Sequence, residues 1–264
     1  MFSYPTTFFD DPPQAGRAID LWIPEHPTKS QALYFVHGGG WRMGHREQMH
    51  AIMYGFYQQG YPCVSVCYRL KDATIATQLE DVRLGLALAD RKLSEKGFSG
   101  DWVVYGSSAG AHLALLAGLA APGACGETVP ESSPRIAGII ASSAPTHFEP
   151  WDNMFPEGWS CIERAVGIPY EDNPEIYKTL SPVTHATAQS PPLMFLLGEC
   201  EHMFPNKHSM DLVERLSADG HSSRYFVYDQ AEHGFFYALT RPAQKKAFQD
   251  VLTFLNELPV QAES

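Results

Sequence analysis

The densest chemistry in the sequence is Gly106-Ser107-Ser108-Ala109-Gly110, a G-x-S-x-G pentad that follows the apolar run Trp102–Tyr105 and opens a very apolar segment. A serine held between a strand and a helix sits on a strained turn, and glycines two positions before and after it omit the Cβ atoms that would strike the adjoining elements. Ser108 is thereby presented as a nucleophile, and Ser107 is its bland neighbour. Upstream, His37-Gly38-Gly39-Gly40-Trp41 follows the run Leu33–Val36. Bare glycine N–H groups in such a loop can stabilise an oxyanion, and Gly38 and Gly39 are the expected donors. Read instead as a dinucleotide fingerprint, the loop fails: Gly44 is misplaced as third glycine and no acidic residue stands at the ribose-binding distance.

A serine nucleophile needs a base and an acid, expected in the order serine, acid, histidine, each after a late strand. His233 fits the base: it lies in Ala231-Glu232-His233-Gly234, beyond the last strand-like run, Arg224–Tyr228, and before the final helix. His26, His45, His50 and His221 read as solvent-facing, and His112, four positions after Ser108 on a helix, reads as packing. For the acid, the run Pro192–Leu197 leads into Gly198-Glu199-Cys200-Glu201-His202, where two glutamates compete, with Asp229 and Glu232 as outsiders. Glu201 is preferred, since a residue immediately after the strand is still tied to the sheet edge, whereas further on the chain has turned over the carboxyl ends of the strands. There is no H-E-x-x-H and no cluster with convincing metal spacing. Cys63, Cys67, Cys125, Cys161 and Cys200 are odd in number and lack C-x-x-C spacing, so they read as buried or idle thiols. The chemistry calls for neither a metal nor a cofactor.

Short apolar runs alternating with helix-period segments must position these residues, and that alternation predicts an α/β fold, a mostly parallel sheet with helices on both faces. Strands are expected at Arg17–Ile23, Ala32–Val36, Pro62–Tyr68, Trp102–Tyr105, Ile136–Ala141, Pro192–Leu197 and Arg224–Tyr228. Leu79, Val82, Leu86, Ala89 and Leu93 mark a helix with Thr77 and Glu80 as its capping box; further helices are expected at Ala109–Ala120, Met210–Leu216 and Ala243–Leu258. Residues 145–192, rich in proline and aromatics, break the rhythm and read as an insertion holding only short helical fragments. Trp151, Phe155 and Trp159 within it either line an acyl or aryl pocket or pin the insertion to the body; Trp41 is a further pocket candidate.

The 264 residues (29.3 kDa) suit one large domain over 1–264. Nineteen basic against thirty acidic residues give a net charge of −11 with no basic stripe, which excludes nucleic acid and anionic membrane surfaces as expected partners. With 44% hydrophobic, 12% aromatic and 19% charged residues, the chain is globular rather than disordered or fibrous. The N-terminal MFSYPTTFFDDPPQ lacks the basic and apolar regions of a secretory signal, and no run reaches the roughly 18 apolar residues of a membrane span, so a soluble, cytoplasmic protein is expected. Oligomeric state has no signature here.

Taken together, these motifs resemble the α/β-hydrolase superfamily, and within it the small esterases with an HGGGW oxyanion loop: hormone-sensitive-lipase-like, feruloyl-esterase-like and arylformamidase-like members. Val64–Leu70 (VSVCYRL), Gln78–Val82 (QLEDV), Gly106–Leu119 (GSSAGAHLALLAGL) and Ser181–Glu199 (SPVTHATAQSPPLMFLLGE) carry the resemblance along most of the chain. It implies Ser108 as nucleophile, His233 as base and oxyanion donors from Gly38, Gly39 and Ala109. The family acid falls three residues after a glycine closing the strand, which is Glu201, although aspartate is commoner there, and Glu199 stays a rival. The pattern also implies a cap, which must come mostly from 145–192. The expected function is hydrolysis of small or aryl carboxylic esters through an acyl-enzyme. The alternatives are hydrolysis of aryl formamides on the same triad, and a non-catalytic small-molecule receptor of this fold.

Overall fold

Strands β3 (Gln31–Val36) and β5 (Asp101–Ser107) lie side by side and parallel, with Val36 opposite Gly106, so the glycine loop and the serine turn leave the sheet at the same edge. Both belong to an eight-stranded sheet in the computed structural model, which describes residues 5–14 and 16–259. The first four residues of the N-terminal segment read above lie outside the described residues. The spatial order is β1 (Thr6–Phe8), β2 (Ala18–Trp22), β4 (Cys63–Cys67), β3, β5, β6 (Ile136–Ser142), β7 (Leu193–Cys200), β8 (Arg224–Glu232). β2 runs antiparallel to β1 and β4, and all other pairs are parallel.

Side chains alternate between the two faces, as strand geometry requires. Tyr34 and Val36 of β3 face one apolar cluster, formed with α2 (Ile75–Ser94), α3 (Ala109–Leu119) and α7 (Asn206–Ala218); Leu33 and Phe35 face another, formed with α1 (His50–Gln58) and α8 (Pro242–Glu257). Both faces of the central strands are therefore buried, which is why those strands read as continuous rather than alternating apolar runs.

Three expectations are corrected. The cap of α2 is Thr74 with Thr77, not Thr77 with Glu80: the Thr74 hydroxyl accepts from the Thr77 amide and the Thr77 hydroxyl from the Thr74 amide. The helix therefore starts at Ile75, two residues before the position first read as its cap. The insertion holds more than fragments: α4 (Pro156–Val166) is an eleven-residue helix, followed by α5 (Pro174–Thr179) and α6 (Pro182–His185). His50 is half-buried, with Nε2 3.0 Å from Asp20 in a buried network with Arg46, rather than facing solvent. Strand β1 and helix α1 were not anticipated, the first being three residues long and the second lacking a side-chain cap.

Candidate active site

Ser108 stands alone between β5 and α3 at φ 53°, ψ −122°, a left-handed position that a non-glycine residue adopts only when its surroundings fix it. The flanking glycines show what does the fixing. A Cβ on Gly106 would lie 2.2 Å from the Gly110 carbonyl oxygen, and one on Gly110 would lie 2.3 Å from the carbonyl oxygens of both Val36 and His37. Strand, turn and glycine loop thus pack backbone to backbone, leaving the half-buried Ser108 side chain facing outward.

The partners arrive by register. β7 and β8 pair irregularly between Gly198 and Cys200, and Cys200 ends up opposite Glu232. The next residue on each strand is therefore Glu201 and His233, side by side above the carboxyl ends of the sheet. His233 directly follows β8, because that strand runs to Glu232 rather than stopping at Tyr228. His233 Nε2 lies 2.8 Å from Ser108 Oγ, and Nδ1 lies 2.9 and 2.8 Å from the two Glu201 carboxylate oxygens. The carboxylate can only accept, so the proton sits on Nδ1 and Nε2 is left to accept from the serine hydroxyl. The Glu201 side chain is only 2% exposed. Burial opposes its ionisation, but the hydrogen bond and charge of His233, the Met203 amide at 2.8 Å and the Ser143 hydroxyl outweigh that, holding its carboxyl below the ordinary glutamate value. Ser143 also accepts from the Gly234 amide at 3.0 Å, so one hydroxyl braces the loops of both acid and base.

Glu199 is not brought to this array. It is exposed, and its carboxylate accepts from the Gln230 amide at 3.0 Å on the sheet edge. Asp229, its neighbour, has its pKa raised from the ordinary aspartate value, chiefly by its hydrogen bond to Glu199.

Ser108 and His233 open into a cleft of about 660 Å³. The glycine loop reaches it differently than expected. Gly38 donates its N–H to the Tyr237 hydroxyl at 3.1 Å and is not on the cleft wall; Gly39 and Gly40 are. The sequence missed Gly40 and Tyr237, the latter because a tyrosine four residues beyond the histidine carries no motif. Gly39, at φ 128°, accepts at its carbonyl from the amides of both Arg42 and Met43, which closes the loop into a tight turn. Ala109 is fully buried as the first residue of α3, where its amide has no intrahelical acceptor.

Trp41 borders the cleft but is only 2% exposed. Its Nε1 donates to His112 Nδ1 at 3.3 Å, leaving His112 Nε2–H to donate to the Leu180 carbonyl at 2.8 Å. Burial pushes the His112 pKa down to about 3 against the pull of that carbonyl, so the imidazole is a neutral strut between the glycine loop and the insertion. Trp151, Phe155 and Trp159 are not on the cleft wall. Trp159 stacks on Tyr177 and Trp151 packs edge-on to Phe204, as the packing alternative expects, whereas Phe155 is exposed beside His202 and, with Trp151, borders a separate depression of about 170 Å³. Met203, Phe204, Cys161 and Arg164 line the cleft instead, so one cysteine read as idle reaches the site. Among the described residues no group of three or more His, Cys, Asp or Glu could hold a metal ion, and no helix is long and apolar enough to cross a membrane.

A profile of the BD-FAE family matches residues 19–216. Esterase LipC of Mycobacterium tuberculosis is 31% identical over 238 residues, covering 86% of this chain and 58% of LipC. The probable carboxylic ester hydrolase LipM of the same organism is 30% identical over 217 residues, covering 76% of this chain and 49% of LipM. The chain thus spans about half the length of these relatives. Thermogutta terrifontis esterase 2, phosphonylated by sarin, superposes with a TM-score of 0.81 at 20% identity, covering 99% of this chain and 97% of that one. The same esterase with butyrate bound gives 0.78 at 20% identity, over 96% and 94%. At that identity the likeness speaks for the fold, and the extent of the family match for descent: the chain is an α/β-hydrolase and belongs to the BD-FAE family.

Proposed function

We propose that this chain is a serine carboxylesterase acting through an acyl-enzyme, and the observation that carries the reading is the unbroken hydrogen-bonded series Ser108, His233, Glu201 at the floor of an open cleft. Ser108 Oγ attacks the ester carbonyl while its proton passes to His233 Nε2, and Glu201 stabilises the imidazolium. The developing oxyanion is met by amides of Gly39, Gly40 and Ala109, with Gly38 kept by Tyr237 in a supporting place. Collapse of the tetrahedral adduct expels the alcohol with the proton from His233. Water, deprotonated by the same imidazole, then releases the acid and restores Ser108. None of these steps needs a cofactor. Residues 145–192 serve as the cap, with α4 supplying part of the cleft wall.

The relatives' names support ester rather than formamide hydrolysis, and the butyrate held by the Thermogutta esterase supports short acyl groups. With a half-open cleft of this size, small esters of aryl alcohols are the substrates of choice for an assay. The test is Ser108→Ala. Its kcat on such an ester should fall by about 10⁴-fold or more while the melting temperature is kept, and an organophosphonate should label the parent at Ser108 but not the variant. Activity within about tenfold of the parent would overturn the assignment.

A further inference from the structure

In a chain of net charge −11, the mouth of the cleft is basic. Of the eleven arginines, Arg17, Arg46, Arg69, Arg83, Arg135 and Arg224 each pair with a carboxylate; Arg42, Arg91, Arg164, Arg215 and Arg241 have none within ion-pair reach among the described residues, and of these five Arg42 and Arg164 stand at the cleft. These two line the cleft that holds Ser108 and His233, and they also line an adjoining depression of about 310 Å³, so they form the wall between the two. They come from different elements. Arg42 follows Trp41, whose φ of 59° is strained for a bulky residue, on the tight turn whose glycines face the cleft. Arg164 lies on α4 of the insertion, and its guanidinium is folded back by bonds to the Ser160 hydroxyl and, at 3.1 Å, the Cys161 sulfur, the latter itself on the cleft wall. Asp72 borders the neighbouring depression but not the cleft, and pairs with neither arginine.

Two exposed guanidiniums, one carried by the glycine turn and one by the cap helix and both left without a protein carboxylate, suit an anionic ligand. Resting on the esterase reading above, we infer that the substrates of this site are esters that carry a carboxylate away from the scissile bond, gripped between Arg42 and Arg164. The reaction itself is unchanged: one ester bond is cleaved, one water consumed, and the distal carboxylate stays intact.

The experiment compares isosteric pairs that differ only in charge. Mono-4-nitrophenyl adipate against the 4-nitrophenyl ester of adipic monoamide places the charge on the acyl side; 4-acetoxybenzoate against 4-acetoxybenzamide places it on the alcohol side. In at least one pair the acid should have the higher kcat/KM, by about tenfold at low salt. That ratio should collapse toward one between about 0.01 M and about 1 M ionic strength, where screening shortens from about 30 Å to about 3 Å. It should also collapse in Arg42→Gln/Arg164→Gln, and each variant supplies its own internal control because both members of a pair are measured on the same protein. No acid preference in either pair, or a preference that survives the double substitution, overturns the inference. Hydrolysis of the neutral amides by the parent but not by Ser108→Ala keeps the esterase reading intact in that event; failure on all four esters would sink the esterase reading itself.

Discussion

Glu201 and Glu199 are two positions apart on one strand end and differ in everything that matters to an imidazole. Residues two apart in a regular strand would point to the same side; the irregular pairing of β7 with β8 between Gly198 and Cys200 breaks that rule, so that Glu201 meets His233 while Glu199 is taken by the Gln230 amide. The glutamate arm, longer than the aspartate commoner at this place, is accommodated because the Met203 and Phe204 amides, at 2.8 and 3.4 Å, draw the carboxylate back over its own loop. Glu201→Gln should lower kcat by about 10³-fold or more, since an amide neither orients the correct tautomer nor stabilises the imidazolium, while Glu199→Gln should stay within about threefold of the parent. Steady-state rates on one ester check the pair; the reverse ranking would move the acid to Glu199. The pH dependence of stability has a definite sign. The Glu201 carboxyl ionises below its ordinary value of 4.5 in the folded chain, so its contribution is complete above that value and is lost as pH falls through the lower native one. The stability gap between the parent and Glu201→Gln, read from denaturant curves, should therefore narrow on acidification through that window.

At the scale of elements, the site is made by the crossing of β3, β5 and α3 at distances that admit no side chain. Gly110 is a helical position where alanine is intrinsically favoured by up to about 1 kcal/mol. A methyl there would nevertheless stand 2.3 Å from two backbone oxygens of the β3 edge, neither at the end of a flexible side chain. Overpacking should win, and Gly110→Ala should destabilise the protein by about 1–3 kcal/mol, with loss of activity as the glycine loop is pushed from Ser108. Chemical denaturation gives the first quantity and ester hydrolysis the second. A neutral or stabilising outcome would mean that the backbone contact at the elbow is looser than it stands here. The insertion shows the opposite economy: α4 buries Ile162, Ala165 and Val166 against the body and leaves Cys161 and Arg164 to the cleft, so one amphipathic helix both anchors the cap and furnishes a wall.

Across the whole molecule, Tyr237 joins segments that are far apart in the chain, since its hydroxyl accepts from the amide of Gly38, 199 residues away. Burial is the main reason that its pKa is raised, so it stays a neutral phenol that holds the glycine loop without adding charge to the site. Tyr237→Phe leaves the Gly38 N–H without its acceptor, at a cost of about 1–3 kcal/mol and a fall in melting temperature of about 2–4 °C for each of them. Catalysis separates two roles for that amide. If the hydroxyl positions the loop, kcat falls with KM little changed; if the Gly38 amide is itself the oxyanion donor that the sequence suggested, releasing it leaves kcat at the parental level or above. The geometry, with Gly39 and Gly40 on the cleft wall, predicts the first outcome.

Ser108, His233, the α/β alternation and most strand positions were legible in the sequence because local rules govern them: a nucleophile turn has a fixed glycine spacing, and strands buried on both faces spell apolar runs. The preference for Glu201 over Glu199 was legible only as an argument about where the chain turns, and what settles which glutamate meets His233 is the irregular pairing of β7 with β8, a relation between residues about thirty positions apart. Tertiary structure alone decided that Gly40 rather than Gly38 faces the cleft, because the hydroxyl that occupies the Gly38 amide comes from the other end of the chain. It alone decided that Trp151 and Trp159 pack the cap, that Phe155 stays at the surface, and that Arg42 and Arg164 border the cleft. An aromatic side chain has the same composition whether it fills a core or lines a cleft, and a guanidinium's role rests on the absence of a neighbouring carboxylate, which is set by packing between distant segments rather than by anything written beside it in the chain.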